Sequence, residues 1–139
     1  MLELEKLISS FRFGHQSILD SLEQIQSVIR SYPQAKPKIS DLQDKLLNHL
    51  SHQNKNFYNL LSTCFQNDRQ ACKTIESLEK DLVDTKVQTL DFFERYPSDM
   101  TDHHSASFPL DFTVFSKFLK ARLQLEQDYL LPLLEKMSQ

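Results

Sequence analysis

An all-α fold, arranged as an antiparallel up-down-up-down four-helix bundle, follows from three observations on the chain. Apolar residues recur at alternating spacings of three and four over long stretches, the period of a helix with one buried face. The chain has a single glycine and no tryptophan, whereas a strand-and-turn protein needs many glycine-dependent turns. Prolines and polar residues interrupt the apolar pattern at three places, which divides the chain into four segments.

The first segment, over about residues 2 to 31, places Leu4, Ile8, Phe11, His15, Ile18, Leu22, Ile25 and Ile29 on one seam. It ends before Pro33 and Pro37, because proline lacks the amide proton and restricts the residue before it. The second opens at Ser40, where the Ser40 to Gln43 spacing suits a capping box, and ends near Thr63 or Phe65. Its seam is Leu42, Leu46, His49, Gln53, Asn56 and Leu60, flanked by Leu47, Leu50, Phe57 and Leu61. The third starts at Asn67 or Asp68, carries Ala71, Ile75, Leu78, Leu82, Thr85, Thr89 and Phe92, and stops before Pro97. Residues 97 to 107 form a loop. The fourth begins near Ser107, with Pro109 tolerated in the first turn, and its seam runs Phe112, Phe115, Leu119, Arg122, Glu126, Tyr129 and Leu133, with Pro132 placed to kink its end. Short connections favour antiparallel neighbours with all four seams facing a common core.

At 139 residues, with 40% hydrophobic and 25% charged residues, the chain reads as one globular domain over 1–139. A formal net charge of −3 with bases interspersed among acids gives no footprint for nucleic acid. The start MLELEKLISSF is amphipathic and acidic rather than signal-like, and the sequence has no apolar run of spanning length. A cytoplasmic protein without a membrane partner is therefore expected. Cys64 and Cys72 form no CxxC pair and read as reduced thiols. No glycine-rich phosphate loop, nucleophile elbow, Ser-His-Asp order or pair of catalytic carboxylates is present, so an enzyme is not expected.

The informative residues are the polar ones on the seams: His15, His49, Gln53, Arg122 and Glu126. A buried polar group left without a partner costs about 1–3 kcal/mol, so these residues must satisfy one another or hold something. In the first case the Arg122 guanidinium pairs with Glu126 one turn away and donates to the Gln53 carbonyl, while His15 and His49 close the network with Thr85 or Thr89. In the second, His15, His49 and Glu126 supply three ligands and an open position to a single zinc or iron ion. The remaining alternative is that Arg122 simply reaches the surface. His52 lies on another face of its helix and reads as solvated. His103 and His104, with Asp99 and Asp102 nearby, read as a polar loop rather than a surface metal site, since adjacent ligands without fixed geometry bind weakly. Phe108, Phe112, Phe115 and Phe118 are core at helical spacing, and exposure of Phe108 or Phe118 would mark a docking face.

These segments resemble the hemerythrin-like (HHE cation-binding) family. The stretch GHQSILDSLEQI carries His15 in a context similar to that family's first-helix histidine. HLSHQNKNFYNLL and RLQLEQDYLLPLL resemble the second and fourth helices, where the family has a histidine followed four residues later by a glutamate. The resemblance implies a bundle around a di-iron centre, with dioxygen binding, iron handling or redox sensing. The implied ligand set is depleted here: His15, His49 and Glu126 match, Gln53 stands where a bridging glutamate is expected and Arg122 where a histidine is expected. One carboxylate cannot offset the charge of two hard cations. The expectation is thus a bundle with a degenerate di-iron site, retained as a small regulatory or protein-interaction module, without a cofactor, monomeric or dimeric. Iron or zinc binding, as a metal or dioxygen carrier or sensor, is the first alternative. A second comes from LLNHLSHQNKNFYNLL and ARLQLEQDYLLPLL, which are similar to the bacterial regulator-of-sigma-D family, metal-free cytoplasmic helical bundles; that likeness implies binding of an RNA polymerase sigma factor.

Overall fold

In the computed structural model, which describes residues 2–97 and 106–138, the chain is a bundle of helices with no strand among the described residues. In chain order these are α1 (Leu2–Ser27), α2 (Tyr32–Ser51), α3 (Lys55–Cys64), α4 (Arg69–Arg95) and α5 (Phe108–Leu125); a π-helical turn (Glu126–Leu130) then leads into α6 (Leu131–Met137). α1 packs against α2, α5 and α6, and α4 packs against α3, α5 and the π turn. No helix among the described residues is long and apolar enough to cross a membrane.

The boundaries depart from the periodicity reading in three places. α1 stops at Ser27 and residues 28–31 form turns, with the Ser31 amide bonded to the Val28 carbonyl at 2.9 Å. α2 starts at Tyr32 rather than Ser40, so the Ser40 to Gln43 capping box does not exist and Pro37 lies inside the helix. Pro33 falls in the first turn, where no amide is needed, and the bond missing at Pro37 is the one to Pro33. An internal proline costs ~3 kcal/mol, which the face of Tyr32, Ala35, Ile39, Leu42 and Leu46, all buried, outweighs at about 1.5–3 kcal/mol for each large apolar side chain.

The second departure is a break at residues 52–54, where one long helix was expected. Asn54 caps the new helix α3, its side chain accepting from the Phe57 amide at 3.0 Å. Phe57 and Leu61, which flank the expected seam, are buried and Tyr58 joins them, while Asn56 and Leu60 are exposed, contrary to their seam positions. Leu47, expected to broaden the seam, is also exposed. The third departure is the π turn, which fits an extra residue into one turn. Leu130 is therefore fully buried and Tyr129, placed on the seam by strict spacing, is 53% exposed. Pro132 occupies the first turn of α6.

α4 follows its expected seam throughout: Ala71, Ile75, Leu78, Leu82, Thr85, Thr89 and Phe92 are all buried. Asp68 caps it, accepting from the Ala71 amide at 3.0 Å. Phe108 is fully buried and Phe118 half-buried, so neither marks a docking face. His52 is exposed. Cys64 and Cys72 are free thiols, exposed and half-buried. Asp99, Asp102, His103 and His104 lie outside the described residues.

Two apolar clusters make the core. One joins Ile18, Leu22, Ile39, Phe92, Phe112 and Leu119; the other joins Ile8, Phe11, Tyr58, Leu78, Leu82 and Leu130. In each long helix the polar seam residues fall between the two, as His15 does between Phe11 and Ile18. The functional candidates therefore occupy the middle of the bundle.

Candidate functional site: a buried centre around Glu126

Glu126 opens the π turn and has no solvent exposure. Around it converge His15 from α1, His49 from α2, Gln53 from the 52–54 break, Tyr58 from α3 and Arg122 from α5, none more than 6% exposed. Gln53 lies within the break, and its side-chain amide enters the centre. The Gln53 carbonyl of the main chain accepts from Lys86 at 3.4 Å, which ties the break to α4.

Both carboxylate oxygens of Glu126 are doubly engaged. Oε1 accepts from His15 Nε2 and from His49 Nε2, each at 2.7 Å. Oε2 accepts from Gln53 Nε2 at 2.7 Å and from Arg122 Nε at 2.8 Å. An ionised carboxylate only accepts, so both imidazoles carry a proton on Nε2 in this arrangement. Arg122 then spends its other donors on the surrounding helices. Nη1 donates to the Leu78 main-chain carbonyl at 2.9 Å and to Asp81 Oδ2 at 3.0 Å; Nη2 donates to Gln53 Oε1 at 2.6 Å and to the Tyr58 hydroxyl at 3.2 Å. All five guanidinium N–H groups are thereby used. The Tyr58 hydroxyl in turn donates to Gln53 Oε1 at 3.0 Å.

The electrostatics agree with this reading. Burial alone pushes the Glu126 carboxyl up, but the hydrogen bonds from His15 and His49, followed by the electrostatic influence of His49 and of Arg122, hold it well below the usual carboxylate range. Burial works against the Arg122 cation too, and the Glu126 charge overcomes it, so the guanidinium titrates above its ordinary value. Burial pushes the Tyr58 phenol up to about 12, although neighbouring Arg122 pulls the other way. The centre is a buried ion pair in which every guanidinium N–H and both carboxylate oxygens have partners, the condition under which buried charge is tolerated.

Of the residues singled out on the sequence, all five meet here, and Arg122 does pair with Glu126 and bond to the Gln53 amide oxygen. Arg122 does not reach the surface, being 2% exposed. Thr85 and Thr89 do not close the network on the histidines: their hydroxyls donate to the main-chain carbonyls of Asp81 and Thr85, one turn back in α4. The glutamate takes that place. Tyr58 and Asp81 went unnoticed on the sequence. A tyrosine beside Phe57 signals a hydroxyl in need of a partner, but an unbroken helix would have turned it off the seam.

The donor set does not fit a di-iron centre. It holds one buried carboxylate, already compensated by a fixed cation, and two imidazoles. The ligand atoms of His15, His49 and Glu126 do lie within 4.8 Å of one another, so a single ion has three donors within reach. To receive it, both Nε2 atoms would have to give up the protons they donate to Oε1.

Comparison with family models, with curated proteins and with solved structures gives no match for this chain. The chemistry of the centre and of the surface therefore carries the functional reading.

Proposed function

We propose that the chain is a metal-independent, up-down-up-down four-helix bundle that acts as a small regulatory module by binding a protein partner. The observation that carries this reading is the complete use of the Arg122 donors by protein groups around a carboxylate that itself accepts four hydrogen bonds. A centre so closed links α1 to α5 and leaves interaction to the outside of the bundle. On α4, Val83, Val87 and Leu90 are 56–64% exposed and share a stripe at spacings of four and three, opposite the buried Leu82, Thr85 and Thr89.

The first partner to test is an RNA polymerase sigma factor. The stretches similar to the regulator-of-sigma-D family, residues 46–61 and 121–134, are those that the centre ties together, through Gln53 and Tyr58 on one side and Arg122 and Glu126 on the other. Calorimetric titration of the purified chain with purified sigma factor is expected to show stoichiometric binding, weakened at least tenfold by Val87→Asp. No heat of binding with any sigma factor of the source cell removes that partner.

A second reading, a metal or dioxygen carrier or sensor, is favoured by the proximity of His15, His49 and Glu126. Metal content per chain, measured by plasma mass spectrometry on tag-free protein from iron- and zinc-supplemented cells, separates the two. Folded protein without stoichiometric metal supports the first reading. Near one equivalent, lost in both His15→Ala and His49→Ala, supports the second and overturns the first.

A further inference from the structure

The outer face of α4 carries a second seam. Lys80, Val83, Val87, Leu90 and Glu94 follow one another at spacings of three, four, three and four, the repeat of a helix that packs on another along a narrow line. All five are exposed, and among the described residues no helix covers them. Beside Leu90 an apolar groove of about 230 Å³ runs to Leu47 and Leu50 of α2, and Leu47 is itself 47% exposed.

The charges at the two ends of this seam select what covers it. Lys80 lies seven residues before Val87 and Glu94 seven residues after it, and neither enters an ion pair among the described residues. Turned about a two-fold axis at Val87, the seam meets its own complement: the aliphatic residues face one another, and Lys80 of each copy comes opposite Glu94 of the other. A parallel pairing would set Lys80 on Lys80 and Glu94 on Glu94, which like-charge repulsion opposes. Of the neighbouring charges, Asp91 is already paired with Arg95 at 3.4 Å and Lys86 is turned toward the Gln53 carbonyl at 3.4 Å. Asp84 stands at the seam's edge, one turn from Lys80.

We infer that this seam is a self-recognition surface: two copies of the chain pair through α4, antiparallel, with Lys80 and Glu94 closing both ends. An aliphatic side chain of one copy fills the groove beside Leu90 of the other. Three apolar residues and two exposed ion pairs make a small contact, so the pair is weak and forms as concentration rises. Pairing covers the face offered above to a protein partner and so withholds it. Only that consequence rests on the sigma-factor reading; the pairing itself stands or falls without it.

The test is sedimentation of the full chain over a range of concentrations, without sigma factor. Wild type is expected to pass reversibly from monomer to dimer. Lys80→Glu and Glu94→Lys each set like charges at both ends, and each variant alone is expected to dimerise at least tenfold more weakly. An equimolar mixture of the two variants is expected to restore the dimer, because both ends of the mixed pair then join opposite charges. Circular dichroism reports that each variant keeps its bundle, as substitutions at exposed positions should. A wild type that stays monomeric up to ~1 mM, a dimer that neither reversal weakens, or a mixture no better than its components overturns the proposal. None of these results bears on sigma-factor binding, which the calorimetric titration reads separately.

Discussion

Phe92 and Phe115 stack with ring centroids 4.2 Å apart in an apolar cluster that also holds Leu22, Leu119 and Phe112, whereas the adjoining layer is filled by a cation, a carboxylate, an amide and two imidazoles. In the aromatic cluster each contact contributes a little and any shape of similar volume is partly acceptable. In the polar centre each group is tolerated only because another is present, since a guanidinium or carboxylate left alone in the core has lost its water and gained nothing. The first kind of core is graded and the second is close to all-or-none.

The sharpest way to break that comparison is at Arg122. Arg122→Leu leaves Glu126 buried without its cation and is expected to destabilise by about 3–5 kcal/mol in denaturant unfolding. The double variant Arg122→Leu with Glu126→Leu is expected to recover most of that loss, because an apolar pair replaces the ion pair. A double variant no more stable than the single one would mean that the two layers behave alike. The same carboxylate sets an acid limit. Its pKa in the folded chain lies below the ordinary 4.5, so its contribution is complete above about that pH and is lost as pH falls through the lower folded value. Unfolding followed by circular dichroism between neutral and acid pH should show wild type losing more stability than the double variant.

In the aromatic cluster Leu22→Ala is expected to cost about 3 kcal/mol and Leu22→Val about 1 kcal/mol, a graded series readable from denaturation midpoints. Equal losses for both would indicate that this layer too is all-or-none. Smaller again is Tyr58→Phe, which removes the hydroxyl that donates to Gln53 Oε1 and accepts from Arg122 Nη2, at about 1–2 kcal/mol. Tyr58 also has a pH signature. Its folded pKa, pushed up to about 12 from 10.0, favours the neutral phenol, so its contribution is full below pH 10 and is lost as pH rises toward 12. Absorbance titration of phenolate should show a late tyrosine in wild type that is missing in Tyr58→Phe. The smallest effect is expected at Val87→Lys, on the outer stripe of α4, within about 0.5 kcal/mol of wild type; a larger loss would show that the stripe is structural rather than free for a partner.

Much of this was legible in the chain. The seams of α1 and α4 were readable because nothing interrupts their period, and the centre's five polar residues stood out because Leu or Ile normally fills such positions. The partner assignments were less legible. Thr85 and Thr89 look like free hydroxyls in a sequence, yet a helical threonine can always bond the carbonyl a turn back. Asp81 lies beside the seam residue Leu82, and only the reach of the Arg122 fork across to α4 makes it part of the centre.

The sequence by itself determined that the fold is helical and that charged and polar groups must share its core, because apolar periodicity and the cost of burying an unpaired charge are local arguments. Where the helices break was decided by tertiary structure. Packing carried α2 through Pro37 and ended it before Gln53, and an extra residue in the π turn brought Leu130 inward in place of Tyr129. Each choice trades a backbone hydrogen bond or two for the burial of whole side chains on neighbouring helices, and that exchange can be evaluated only once the neighbours are in place.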